Sequence, residues 1–245
     1  MRIRFVIAYN GARFLGSQTQ TQTKNTVLGQ IEHVFDCIGI KNKIVASGRT
    51  DAGVHATAQT CHVDLPDFWN DLTKLQRVLN EMLPTSIVVK SIKEVSLDFH
   101  ARFSATKRVY RYVLCEGASN PFEDDFVTFR ENLDFTSMEK NIKLFEGIHD
   151  FVFFMKAKSD VTTTTRTIYK TRAYQYKKYI ILSFEANGFL RSQIRMMVGA
   201  LLVKNQKEIE ELITCQKKHR FKPAPANGLY LAKISYKRID EFKTV

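Results

Sequence analysis

The sequence predicts an α+β chain of two tandem βαββαβ halves (ferredoxin/RRM-like), with largely antiparallel sheets and an active-site cleft at their junction. Three observations carry that expectation. Apolar residues alternate with strand period at the start, two stripes of helical spacing follow with a pair of strand-like runs between them, and the same order returns more loosely after residue 105. In the first half, Ile3, Phe5, Ile7 and Tyr9 mark a strand, and Val27, Leu28, Ile31, Val34, Phe35 and Ile38 mark a helix. Strands near 43–47 and 57–65 come next. A second helix is read from Phe68, Trp69, Leu72, Leu75, Val78, Leu79 and Met82, ending before Pro84, and a strand at 87–95 closes the set.

The second half repeats the order less cleanly. A strand at 108–115 precedes a helix near 137–146, and a hairpin of 167–176 and 179–186 turns at Lys177-Lys178. A helix over 189–204, a short extra helix near 207–214 and a strand over 229–236 complete it. The segment 116–136 reads as a long loop, and Thr162–Thr165 as a polar loop after Asp160 or an RNA-contacting one. The expected division is therefore 1–105 and 106–245.

Composition narrows the partners. The formal net charge is +12, which favours polyanions and nucleic acid first, although many basic proteins bind none. Residues 1–105 hold 12 Lys+Arg against 9 Asp+Glu, and 106–245 hold 25 against 16, so the second half should supply more of a backbone-binding surface. Cys37, Cys61, Cys115 and Cys215 form no C-x-x-C pair and fit a reducing compartment. No leader-like segment precedes the first strand, and the run Met196–Val203 is too short to span a bilayer, so a cytoplasmic protein is expected. No metal-ligand spacing is present among His55, His62, His100 and His149, and no phosphate-cradling glycine loop implies a nucleotide cofactor.

The chemistry concentrates in Ser47-Gly48-Arg49-Thr50-Asp51-Ala52-Gly53-Val54-His55. A carboxylate sits between two glycines in a polar loop flanked by strand-like sequence. Glycine permits unusual backbone angles and close approach of a ligand to the main chain. Asp51 can thus be held towards a bound molecule while Arg49 reaches for an anion. The alternative is a tight turn in which Asp51 bonds only nearby amides.

Residues 48–55 match the G-R-T-D-A-G-V-H loop of the TruA-type tRNA pseudouridine synthases, and the chain resembles that family almost throughout. Tyr9–Gln18 is similar to its opening Y-D-G-x-x-F-x-G-W-Q, and Phe99–Tyr112 to its F-x-A-R-F-x-A-x-x-R-x-Y-x-Y segment. Phe145–Phe151, Arg166–Ile168, Asn187–Leu190, Ile194–Gly199 and Pro225–Leu231 match later motifs in the same order.

The resemblance implies an isomerase. It would convert uridine to pseudouridine at positions 38, 39 and 40 of the tRNA anticodon arm, working as a homodimer with no cofactor, metal or membrane. Asp51, Arg195 and Tyr110 would be the catalytic residues, with Arg49, Tyr110, Leu229 and Arg191 meeting RNA or uracil. Arg195 would pair with Asp51, because a neighbouring cation keeps a carboxylate ionised, as a nucleophile must be. Tyr110 would lie beneath the base, Arg49 would fill the space left by a flipped nucleotide, and Leu229 would wall the uracil pocket. Each has a plainer alternative: Arg191 and Arg195, four apart, share one stripe at the edge of an apolar helix face and can both be solvated, while Tyr110, Tyr112 and Leu229 can be core residues.

Two departures stand out, Ser17 where the family usually has tryptophan and Asn10 where aspartate is common; both bear on RNA contact by the N-terminal loop. The polar stretch Gln18–Lys24 adds to them. Rival readings are a catalytically silent tRNA-binding protein or RNA chaperone of the same fold, and a metal-dependent nuclease built on Asp51, His55 and His149.

Overall fold

The computed structural model describes residues 1–156 and 161–237; Asp160 and the end of the chain at 238–245 lie outside the described residues. The chain divides into two compact units, Met1–Thr106 with the described part of Leu231–Val245, and Lys107–Tyr230. Both are mixed α+β structures with mostly antiparallel sheets.

The first unit runs β1 (Arg2–Tyr9), α1 (Val27–Cys37), β2 (Val45–Ala46), β3 (His55–Asp64), α2 (Leu72–Met82) and β4 (Ile87–Glu94), with a 3-10 turn at Gly11–Arg13. Its sheet is ordered β4-β1-β3 and continues to β10 (Leu229–Tyr236). The alternation of β1 does what it predicts: Ile3, Phe5, Ile7 and Tyr9 are buried, with Phe5 opposite Cys61 on one side and Ile92 on the other. Phe35 of α1 meets Phe5 at 5.8 Å between ring centroids, so the helix covers that face. Thr26 caps α1 by accepting from the Gly29 amide.

α2 starts later than its apolar spacing suggests. Asp71 accepts from the Lys74 amide and sets the start, which leaves Phe68 and Trp69 in the preceding turn. Phe68 is 65% exposed there, while Trp69 donates its indole N–H to the Ile38 carbonyl. An N-cap carboxylate outweighed the pattern of two aromatic residues.

The second unit runs β5 (Ala105–Glu116), β6 (Thr128–Arg130), α3 (Phe135–Asn141), β7 (Gly147–Asp150), β8 (Thr165–Tyr176), β9 (Tyr179–Ala186), α4 (Gln193–Leu201) and α5 (Gln206–Ile213). Its sheet is ordered β5-β9-β8-β7, with β6 parallel to the end of β5. The hairpin turns at Lys177-Lys178, where Lys177 takes φ +54°. Tyr112, Leu182, Phe184, Phe145 and Phe154 are buried, and Phe145 meets Phe154 edge-on at 5.4 Å.

Two details here differ from the sequence reading, and a strand it did not mark, β7, adds a third feature. The helix near 137–146 is α3 followed by a 3-10 turn over Ile142–Phe145. The segment 116–136 contains β6, too short to show a periodicity. β7 pairs with β8 only over Thr165–Ile168; beyond it, Glu146 accepts from the Thr171 amide and Lys143 donates to the Thr171 carbonyl.

Candidate active site

The Asp51 loop joins β2 to β3 in the first unit, and side chains tie down its backbone. The Ser47 hydroxyl donates to Gln59 Oε1 at 2.6 Å, and Gln59 Nε2 donates to the Gly48 carbonyl at 2.6 Å. Gln59 is fully buried on β3, and those two bonds satisfy an amide that burial would otherwise make costly. The Val54 amide closes a turn onto the Asp51 carbonyl at 3.1 Å, with Gly53 at φ +79°, a conformation that favours glycine. Around Gly48 nothing lies within 4 Å of where a Cβ would stand, so the main chain is open to approach there.

Thr50, immediately before Asp51, is held on three sides. Its amide donates to Ser17 Oγ at 2.8 Å, its carbonyl accepts from the Ser17 amide at 3.2 Å, and its hydroxyl lies 2.9 Å from the Tyr9 hydroxyl. On the exit side, Gly11 donates to His55 Nδ1 at 3.0 Å. A Cβ on Gly11 would come within 2.0 Å of the Val54 carbonyl oxygen, so only glycine fits. Asp51 itself is half-buried and Arg49 is exposed.

Tyr110, Arg191, Arg195 and Leu229 all belong to the second unit. Tyr110 lies on β5 opposite Phe184 and meets Phe189 edge-on at 5.3 Å. Arg195, on the first turn of α4, donates from Nε to the Ala224 carbonyl at 2.8 Å, and the Ala224 amide returns a 2.8 Å bond to the Arg195 carbonyl. Gly199 lets that segment pass close, since a Cβ there would stand 2.1 Å from the Lys222 carbonyl oxygen. The next residue, Pro225, accepts from the Tyr112 hydroxyl at 2.8 Å, which also bonds Thr128 Oγ1 at 2.7 Å. Burial pushes the Tyr112 hydroxyl well above the ordinary tyrosine range, so Tyr112 is a neutral core anchor. Leu229 is buried beside Gly228, whose missing side chain leaves room for Tyr112 and Thr128.

The shared stripe of Arg191 and Arg195 does not exist. Ser192 takes φ +60° and α4 begins at Gln193, so Arg191 lies exposed in the preceding turn while Arg195 is helical. A left-handed serine is invisible to periodicity. The roles of Ser17, Tyr9 and Gln59 in holding the loop were not read from the sequence; Gln59, a polar residue amid a buried strand, was the one readable signal of them.

The residues of the nuclease alternative have structural partners: His55 serves Gly11, and His149 Nε2 lies 2.8 Å from the Glu146 carbonyl. Among the described residues, no group of three or more His, Cys, Asp or Glu could hold a metal. Burial also raises the Cys61 thiol, away from reactivity. No helix among the described residues is long and apolar enough to cross a membrane.

The α+β fold, the pinned, glycine-flanked aspartate and this motif order together fit an RNA-modifying isomerase. A family model described as tRNA pseudouridine synthase matches residues 5–104 and 142–237, and the chain belongs to that family. Relatives named tRNA pseudouridine synthase A run nearly its whole length. One from Campylobacter jejuni subsp. jejuni (strain 81116) is 36% identical, covering 96% of this chain and 100% of its own. Those from Helicobacter hepaticus and Anoxybacillus flavithermus are 37% and 38% identical, covering 95% and 96% of this chain and 98% of their own in each case. Among solved structures, a Cbf5-Nop10-Gar1 complex aligns over 82% of this chain and 45% of that chain, with TM-score 0.39 and 13% identity.

Proposed function

We propose that this chain converts uridine to pseudouridine at positions 38, 39 and 40 of the tRNA anticodon arm, in the cytoplasm and as a homodimer. The observation that carries the reading is the Asp51 loop, whose backbone is fixed on both sides of a half-buried carboxylate. In this reading the chain is two ferredoxin-like halves: 1–105 brings the Asp51 loop, 106–245 brings Tyr110 and Arg195, and the reacting base is held at their junction. The family match over residues 5–104 and 142–237 supports it.

The reaction breaks the bond from uracil N1 to ribose C1′ and forms one from C5 to C1′. C5 gives up its hydrogen and N1 gains one, so no net oxidation occurs. A stacked base hides the scissile bond, so the nucleotide must first leave the helix. Arg49, exposed two residues before Asp51, fills the space it leaves. Asp51 then acts at C1′, adds to C6, or takes a ribose proton. All three routes need an ionised carboxylate, and in this reading Arg195 is the cation that serves it. Tyr110 stacks beneath the uracil, Leu229 closes the apolar wall that keeps the detached base from escaping, and Arg191 meets phosphate.

The test is a uridine-containing tRNA transcript, incubated with and without chelator. Pseudouridine formed at unchanged RNA mass in both arms supports the reading, and Asp51→Asn should lower turnover by more than a hundredfold at an affinity within a few-fold. Strand cleavage, or binding without product, would leave a nuclease or a silent RNA-binding protein instead.

A further inference from the structure

We propose that Ser17 is the positioning residue for Asp51, an inference that rests on the isomerase reading above. Thr50 joins two peptide units, and Ser17 holds both. Its hydroxyl oxygen takes the N–H of the unit before Thr50, and its own amide donates to the carbonyl of the unit after it. The second of those units contains the nitrogen of Asp51. The Asp51 carbonyl is fixed in turn by the Val54 amide. Backbone rotation at residues 50 and 51, which sets the direction of the carboxylate, is therefore restrained from both ends.

Ser17 is itself anchored. Its carbonyl accepts from the Leu28 amide at 3.0 Å, on the first turn of α1, and the Gly16 carbonyl accepts from Val27 at 3.2 Å. Gly16, at φ +101°, turns the chain so that Ser17 faces the loop. A Cβ on Gly16 would stand 3.2 Å from the Thr50 carbonyl oxygen, which shows how closely the two segments abut. α1 thus braces Ser17, and Ser17 braces the residue next to Asp51.

Water does not replace the hydroxyl, because Ser17 is 2% exposed and Thr50 is 8% exposed. Deleting it leaves a buried amide without that acceptor, which costs far more than an exposed hydrogen bond. The loop relieves this by moving. Displacing a reacting group by about 1 Å costs roughly a hundredfold in rate, whereas binding of RNA by distant cations is indifferent to it.

The experiment compares wild type, Ser17→Ala, Ser17→Thr, Ser17→Cys and Asp51→Asn on the same tRNA transcript, measuring kcat and KM separately. Ser17→Ala should lose about ten- to a hundredfold in kcat with KM within about twofold, and Ser17→Thr, which keeps the oxygen, should recover most of it. Ser17→Cys keeps the size but offers a weak acceptor, so it should resemble alanine, and it decides the matter if the alanine variant fails to fold. Wild-type kcat in a folded Ser17→Ala or Ser17→Cys protein overturns the proposal, as does loss through KM or loss that threonine does not restore. If wild type itself makes no pseudouridine, the isomerase reading fails; if Asp51→Asn is dead while Ser17→Ala is fully active, only the positioning role fails.

Discussion

Acidification should weaken the first unit through one histidine. His62 on β3 is 5% exposed, accepts from the Ala101 amide at Nδ1, and packs against the rings of Phe99 and His100. Burial, with smaller contributions from Arg2 and His100 against an opposing one from Asp64, pushes its pKa from 6.5 down to about 4. The folded state therefore resists a proton that the unfolded chain accepts. Between pH 6.5 and 4 the unfolded state binds more protons, so stability is complete above that window and falls as pH drops through it. The two-and-a-half-unit gap corresponds to about 1 kcal/mol lost by pH 5.5 and about 3 kcal/mol by pH 4. Urea unfolding at a series of pH values, followed by the fluorescence of Trp69, measures it, because Trp69 is the one tryptophan in the chain. His62→Asn places an amide oxygen near the position of Nδ1 and carries no titrating group, so the difference between the two proteins isolates the histidine. A difference that stays flat from pH 7 to pH 4 would refute the reasoning.

Three other outcomes are expected. Gly11→Ala drives a Cβ into the Val54 carbonyl, 2.0 Å away, and should cost about 1–3 kcal/mol in denaturant unfolding along with most of the turnover; a neutral result would mean the loop tolerates rearrangement. Arg195→Met should lower kcat by about a hundredfold or more, with Arg195→Lys recovering part of it, since lysine keeps the charge but loses the fork that reaches Ala224; near-wild-type turnover of the methionine variant would make the arginine a solvated bystander. Affinity for tRNA should fall steeply as salt rises, and neutralising lysines or arginines in 106–245 should flatten the slope; affinity indifferent to salt contradicts an ionic contact surface.

The elements legible in the sequence were those whose burial follows a simple period. β1 and β9 alternate buried and partly exposed residues throughout, and α1 buries the stripe that its spacing marks. Errors fell where one residue's local geometry overrides a pattern. Asp71 starts α2 after two aromatic residues that fit its stripe, and Ser192 breaks what reads as a longer helix. The Asp51 loop was legible because its wording is contiguous. Its anchors were not, since Tyr9 and Ser17 lie 41 and 33 residues from Thr50 and meet it only after folding. Ser17 was visible as a departure but was read as a matter of RNA contact, because sequence gives no hint of which backbone a buried hydroxyl serves.

The short reach of β7 has a consequence for how these molecules tolerate one another in concentrated solution. A strand rim with open amides and carbonyls is a template on which another chain can add itself. Along β8 beyond Ile168, backbone pairing with β7 gives way to side chains, with Glu146 on the amide of Thr171 and Lys143 on its carbonyl. Lys170 and Arg172 are exposed on either side, so an incoming copy would bring like charge against like. Tyr174 and Tyr176, exposed at 37% and 58%, follow on the same strand and would otherwise invite such stacking. Lys143 and Glu146 thus take up the backbone groups of Thr171 that a further strand would use, and leave an added chain nothing to pair with at that point of a tyrosine-bearing edge.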